Sequence, residues 1–235
     1  QIQLGGAYSE SVGTLLEELD FHCDELGSEN VTISGLNTLR ALKKINVEGL
    51  RGISTLDLSG SLNLKEVYAK NSGLSTITLA PGCLIETLEL PSNMQVLDLQ
   101  DIPLLNWDGL TIDGNWAKVN TIKLRKCPNL VSDFEYIWTW FENTKNISHR
   151  TLELTSVNWT NVDVDDLIEL FSSSNIKVSI TGRIGLSKIT DKNKLRQLGQ
   201  LFDFDIFDKN ADLYIYASNQ IFVFGPEDGI ILEGD

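Results

Sequence analysis

Two histidines, three cysteines and a surplus of carboxylates are the groups in this 235-residue chain equipped for acid–base, nucleophilic or metal chemistry. His22 and His149 are the histidines, and no G-x-S-x-G frame gives either a nucleophile to activate. His149, beside Arg150, is expected in a turn or at the surface. No G-x-x-x-x-G-K-[ST] or G-x-G-x-x-G run offers backbone amides to a phosphate. Paired carboxylates perform glycoside hydrolysis, but nothing singles out a pair among the 33 Asp and Glu. Cys23, Cys83 and Cys127 contain no C-x-x-C pair, so neither a disulfide framework nor a zinc centre is expected. Their expected role is buried small-residue packing. The expectation is a protein that is not an enzyme and holds no cofactor.

The nearest approach to a metal site is Asp203-Phe204-Asp205 followed by Asp208, Asn210 and Asp212, which set oxygen ligands at alternate positions as a calcium loop does. Leu213 stands where such a loop needs glycine, and no glutamate closes it. Turns attract the same residue types, so these are calcium candidates only and no metal is expected. Aromatic chemistry is the other resource. Trp138 and Trp140 flank Thr139, so one helix cannot turn both to the same core. One of them is expected near the surface, where a glycan or protein stacks on an indole.

These groups need elements to hold them, and the strongest signal for elements is self-similarity. The frame apolar-x-x-apolar-x-apolar recurs as Leu42/Ile45/Val47, Ile53/Leu56/Leu58, Leu64/Val67/Ala69, Leu74/Ile77/Leu79, Ile85/Leu88/Leu90, Met94/Leu97/Leu99 and Val119/Ile122/Leu124. The middle members step by 11, 11, 10, 11, 9 and 25 residues. Partial copies stand at Val31/Ile33, Leu152/Leu154 and Val178/Ile180. The last two apolar positions share one face of a short strand, and the first tucks the incoming turn under the same core. One copy cannot bury its apolar face alone, whereas stacked copies can. The residue between the last two apolar positions points away from the core. Asn46, Asp57, Tyr68, Thr78, Glu89, Asp98 and Lys123 are therefore expected to form one polar ladder on the open face.

This pattern resembles the leucine-rich-repeat proteins, and within them the BspA-like repeat of bacterial surface proteins, which favours L-x-x-L-x-L-P. Ile85-Glu86-Thr87-Leu88-Glu89-Leu90-Pro91 fits that form, Leu74 to Pro81 fits it with the proline one place late, and Cys127-Pro128-Asn129-Leu130 resembles the family's C-x-x-L step. The resemblance covers residues 31–130 well and 150–186 weakly. It implies an α/β repeat fold: a solenoid of stacked short parallel strands, with two half-repeats making a coil of about 21 residues.

Beyond Leu124 the spacing widens. Asn106 to Trp116 reads as a turn-rich insertion. Ser132-Asp133 offers an N-cap ahead of Phe134, Ile137, Trp138 and Phe141 at helical spacing, Val164 to Phe171 reads as a second helix, and Thr190-Asp191 opens a third. Leu213 to Tyr216 and Ile221 to Phe224 flank a hairpin signal. Leu15, Leu16, Leu19 and Phe21 suggest a short capping helix at the start. The expected organisation is an N-terminal cap over 1–30, a solenoid over 31–205 with helices in the later repeats, and a strand-rich cap over 206–235 leading toward a further domain. An opening Gln1 in place of Met is expected of a processed or truncated chain.

Composition narrows the partners. The net charge is −14, with residues 42–130 neutral and the acidic surplus on both sides. Phosphate binding needs clustered Lys and Arg, so nucleic acid is not expected, and no apolar run is long enough to insert in a membrane. N-x-[ST] sequons at Asn30, Asn146 and Asn158 are read as coincidence in a bacterial or phage protein. The expected role is a non-catalytic recognition module, contacting a protein or surface glycan, on a bacterial cell surface or secreted. The alternative is a structural spacer or assembly domain of a larger protein, such as a phage virion component.

Overall fold

The computed structural model describes residues 2–3, 15–23, 31–113, 116–159, 162–185, 193–194, 197, 212–218 and 220–224. Among them the chain is α/β, with parallel strands in several sheets, few helices and no closed barrel. It divides into two compact units, Gln1–Leu130 and Val131–Asp235.

Among the described residues the first unit has eleven short strands: β1 (Ile2–Gln3), β2 (Glu18–Asp20), β3 (Ile33–Ser34), β4 (Lys44–Asn46), β5 (Thr55–Leu58), β6 (Glu66–Tyr68), β7 (Thr76–Leu79), β8 (Thr87–Leu90), β9 (Val96–Gln100), β10 (Leu110–Ile112) and β11 (Thr121–Arg125). All of their pairings are parallel, and no strand pairs with its neighbour in sequence. The even strands form one sheet in the order β10-β8-β6-β4-β2, while β1 pairs with β3, β5 with β7 and β9 with β11. The reason is geometric. Parallel neighbours need a crossover of about a dozen residues or more, and the stretch between consecutive strands supplies only a turn. The strand after that turn runs elsewhere, and the next one returns beside the first.

The apolar frame sets the register. Leu19, Ile45, Val67, Leu88 and Leu110 are partners across the even sheet. Leu56 pairs with Ile77, and Leu97 with Ile122. Of these, all but Leu19 are buried. Side chains in the turns add a second set of ties. Ser61 Oγ donates to the Leu39 carbonyl 22 residues back, and Asn63 Nδ2 to that of Arg40. Asn93 Nδ2 donates to the carbonyl of Gly73 and Asn129 Nδ2 to that of Pro103. Backbones approach so closely there that a Cβ on Gly73 would lie 1.9 Å from the Arg51 carbonyl oxygen, and one on Gly109 2.0 Å from that of Glu86. Only glycine fits such an approach.

Two expectations are corrected. The segment around Leu19 is no helix: β2 pairs with β4, Glu18 opposite Lys44 and Asp20 opposite Asn46. Leu15 is 79% exposed, so it has no apolar face to cover. Nor is the stretch from Asn106 to Trp116 mere insertion, because β10 within it is the fifth strand of the even sheet. Both are further copies of the frame, Leu16/Leu19/Phe21 and Trp107/Leu110/Ile112, the latter with a tryptophan in the first place.

In the second unit, helices α1 (Phe134–Asn143) and α2 (Val164–Ser172) accompany strands β12 (Arg150–Trp159), β13 (Ile176–Gly185), β14 (Asp212–Ser218) and β15 (Gln220–Phe224). Asp133 caps α1 by accepting from the Glu135 amide, and Asp163 caps α2 by accepting from that of Asp165. The partial repeats meet each other, Leu152 opposite Val178 and Leu154 opposite Ile180 in parallel β12–β13. The expected hairpin is β14–β15, and β14 joins β13 antiparallel.

Arg150 lies at the centre of this unit's polar packing, 3% exposed. Its Nη1 donates to the Phe141 carbonyl at the C-terminal turn of α1, and its Nη2 to Asn175 Oδ1 and Ser173 Oγ. Its guanidinium stacks 4.4 Å from the Phe141 ring centroid. The unsatisfied carbonyls and negative end of a helix dipole suit a cation at that spot. The third expected helix, apart from residues 193–194 and 197, and the caps over 1–30 and 206–235, apart from their strands and residues 15–23, lie outside the described residues. So do the calcium candidates Asp208 and Asn210. Asp212 opens β14.

Candidate binding surface

The seven residues expected on one ladder fall into three register groups, one on the even sheet and two on odd pairs. Asn46, Tyr68 and Glu89 are register partners on the even sheet, where Asp20 and Thr111 extend the row at either end. Asp57 is opposite Thr78 on β5–β7, and Asp98 opposite Lys123 on β9–β11. Consecutive strands alternate between the even sheet and the odd pairs, so residues eleven apart in sequence never share a row.

The even row and the odd pairs differ in charge, and the even row is most sheltered at its centre. In the odd strands Asp57, Thr78 and Asp98 are exposed and Lys123 is half-buried; in the even row the central Asn46, Tyr68 and Glu89 are half-buried, as are Lys44, Glu66 and Thr87 beside them, while Asp20 and Thr111 at its ends are exposed. On the even face the polar groups interlock. The Tyr68 hydroxyl donates to Glu66 Oε2 at 2.9 Å, and Lys44 Nζ lies 3.6 Å from the same oxygen. That ammonium stands 5.2 Å from the Tyr68 ring centroid, a cation–π contact. Lys70, in the turn after β6, reaches Glu89 at 3.0 Å. Burial first, then the hydrogen bond to Glu66 and the charges of Glu66 and Glu89, pushes the Tyr68 phenol above its ordinary pKa.

Some of these outward residues, on the even row and off it, also shape the backbone. Asp20 Oδ1 accepts from the His22 amide, Asn46 Oδ1 from that of Glu48 and Asp57 Oδ1 from that of Ser59. Each turns the chain two residues past its strand. Asp98 Oδ1 accepts from Arg125 Nη2 at 2.6 Å.

The tryptophan candidates separate. Trp140 is 1% exposed, which removes it as a surface platform. Two residues from Trp138, it faces the opposite side of α1. Trp138 is half-buried, and its ring stacks with those of Phe134 and Phe141 at 6.1 and 5.1 Å. Lys145 adds a cation 5.8 Å from its centroid. Trp107 and Trp159 are buried and donate to the carbonyls of Leu130 and Val131.

The cysteines are all free thiols. Cys83 and Cys127 are buried, and burial pushes both thiols up, Cys127 to about 11. Reactive cysteines are displaced the other way. Among the described residues no group of three or more His, Cys, Asp or Glu gathers as a metal centre would, and no helix is long and apolar enough to cross a membrane.

Reading the sequence missed Asp20, Lys44, Glu66, Lys70 and Thr111 as members of this surface. The frames around Leu19 and Leu110 carried the signal for two of them, and the flanking position of each strand carried it for Lys44 and Glu66. Comparison of the chain with protein-family models, with curated proteins and with solved structures yields no match.

Proposed function

We propose that the chain is a leucine-rich-repeat solenoid of the BspA-like kind, acting as a non-catalytic recognition module through the outer face of its even sheet. The observation that carries the reading is the row Asp20, Asn46, Tyr68, Glu89 and Thr111, in register on five adjacent strands. A row of polar side chains held by parallel backbone is a preorganised surface, and preorganisation lowers the entropy lost on binding. Repeat proteins use extended strand faces of this kind for partners. A bacterial cell surface or a secreted location fits the role, and the partner is a protein or surface glycan.

The test is binding of the labelled chain to bacterial envelope fractions. Tyr68→Ala combined with Glu89→Ala should remove most of the bound protein while the melting temperature stays unchanged. Undiminished binding by that variant would overturn the reading. One observation favours a second role, a rigid spacer or assembly domain such as a virion component: the charges on the even face already pair with one another. Under that role no envelope component binds either version.

A further inference from the structure

We propose that the even face recognises cations, that its partner is a lysine- or arginine-bearing polypeptide segment, and that Lys44 and Lys70 occupy the site as internal competitors. This rests on the recognition reading above and names the partner's chemistry. Among the outward residues on the even strands, Glu18, Asp20, Glu66 and Glu89 are set against Lys44 alone, with Lys70 added from a turn. The charge surplus is therefore negative, and two of its members, Glu66 and Glu89, flank the row's one aromatic ring, with Glu18 and Asp20 two strands further along. The odd strands lack this surplus, because Asp57 and Asp98 are balanced by Lys123 and Arg125.

The resident lysines show what such a surface accepts. Lys44 Nζ takes the position over the Tyr68 ring and beside Glu66 that a partner's ammonium or guanidinium would take, and Lys70 does the same at Glu89. Both stand on flexible stems and remain about a third or more exposed, with side-chain exposures of 42% and 35%. Exposed pairs of this kind are weak, so an incoming cation displaces them at little cost. Arginine adds planar stacking and a two-pronged fit to carboxylate. A neutral glycan gains nothing from the four carboxylates, and a polyanion is repelled by them.

The test is calorimetric titration of the whole chain with heptalysine and heptaarginine, using maltoheptaose as the neutral control. Glu66→Gln with Glu89→Gln should weaken peptide binding about tenfold, and Lys44→Met with Lys70→Met should strengthen it about threefold or more. Asp57→Asn with Asp98→Asn, on the other strands, should change it less than about twofold. Raising salt from about 0.05 to 0.3 M should suppress it strongly. Melting curves check that each variant folds, and Glu18→Gln with Asp20→Asn replaces the glutamate pair if that variant does not. Equal losses from the two acidic pairs would reduce the effect to the chain's overall charge and overturn the proposal. Unchanged affinity on removing the lysines, or equal binding of maltoheptaose, would overturn it as well. If heptalysine ignores these variants while Tyr68→Ala with Glu89→Ala still abolishes envelope binding, the cationic partner is wrong and the recognition face stands. If both experiments fail, the face itself is wrong.

Discussion

The two units hold their interiors together by different means. In the first, identical operations repeat: an aliphatic residue pairs with an aliphatic residue, a serine or asparagine reaches back about one repeat, and a glycine lets backbones touch. Its fully buried side chains are almost all apolar. In the second, one buried guanidinium gathers the end of α1 and the turn at Ser173 and Asn175, and a long strand carries an irregularity between Leu154 and Val157. The first spreads its stability over many small equal contacts. The second buries an apolar core as well, with Trp140, Phe141 and Trp159 its largest members, and adds one polar cluster in which the Arg150 Nε is buried without a hydrogen-bond partner among the described residues, a costly arrangement for a buried charge.

Substitutions should sharpen that contrast. Arg150→Ala should cost about 4 kcal/mol, because it empties a buried volume and strips partners from the Phe141 carbonyl and Asn175 together. Arg150→Met fills the volume and should cost about half as much; equal losses for the two, measured by urea unfolding, would mean that the lost hydrogen bonds alone matter there and packing does not. Gly73→Ala should cost about 3 kcal/mol, since its Cβ meets the backbone oxygens of Arg51 and Ile53 at 1.9 and 2.7 Å. A tolerated alanine would break the view that backbones touch in the first unit.

Alkaline pH separates the units by another route. The buried Cys127 thiol has its pKa raised from 9.0 to about 11. Folding favours the protonated thiol, so this contribution is complete below pH 9.0 and disappears as pH rises through about 11. The loss should be about 2 kcal/mol, allowing for partial burial. Cys127→Ala should remove most of this dependence, and Cys83, pushed in the same direction, accounts for a remainder. Residues 131–235 contain no cysteine. Far-UV unfolding between pH 8 and about 11, followed in both versions, checks the sign. The smallest effect is expected in the turn after β6, where Asn71 sits at φ 56°. Asn71→Ala should cost about 1 kcal/mol and Asn71→Gly close to nothing.

Much of the first unit was legible without coordinates. The beat of Ile45, Leu56, Val67, Ile77 and Leu88 announces short strands with one apolar face, because a buried rung tolerates little but an aliphatic side chain. The capping residues Asp133 and the hairpin from Leu213 to Phe224 were equally readable, since turn and cap chemistry is local. Leu19 and Leu110 were missed because each stands in an acidic or tryptophan-rich stretch that imitates a helix or a loop. Only the pairing with Ile45 and Leu88 identifies them as rungs.

Sequence periodicity determined which side chains point outward from each strand, since that depends only on alternation along one backbone. It did not determine which of them are neighbours. Asp57 lies between Asn46 and Tyr68 in the repeat, yet those two are register partners and Asp57 is opposite Thr78. The length of the turn decides that sorting: too short to bring the chain back beside itself, it sends alternate strands to separate rows. The clustering of Lys44, Glu66, Tyr68, Lys70 and Glu89 follows from that return across space, and so does the burial of Arg150 against a helix end. Each joins residues whose separation along the chain carries no local signal.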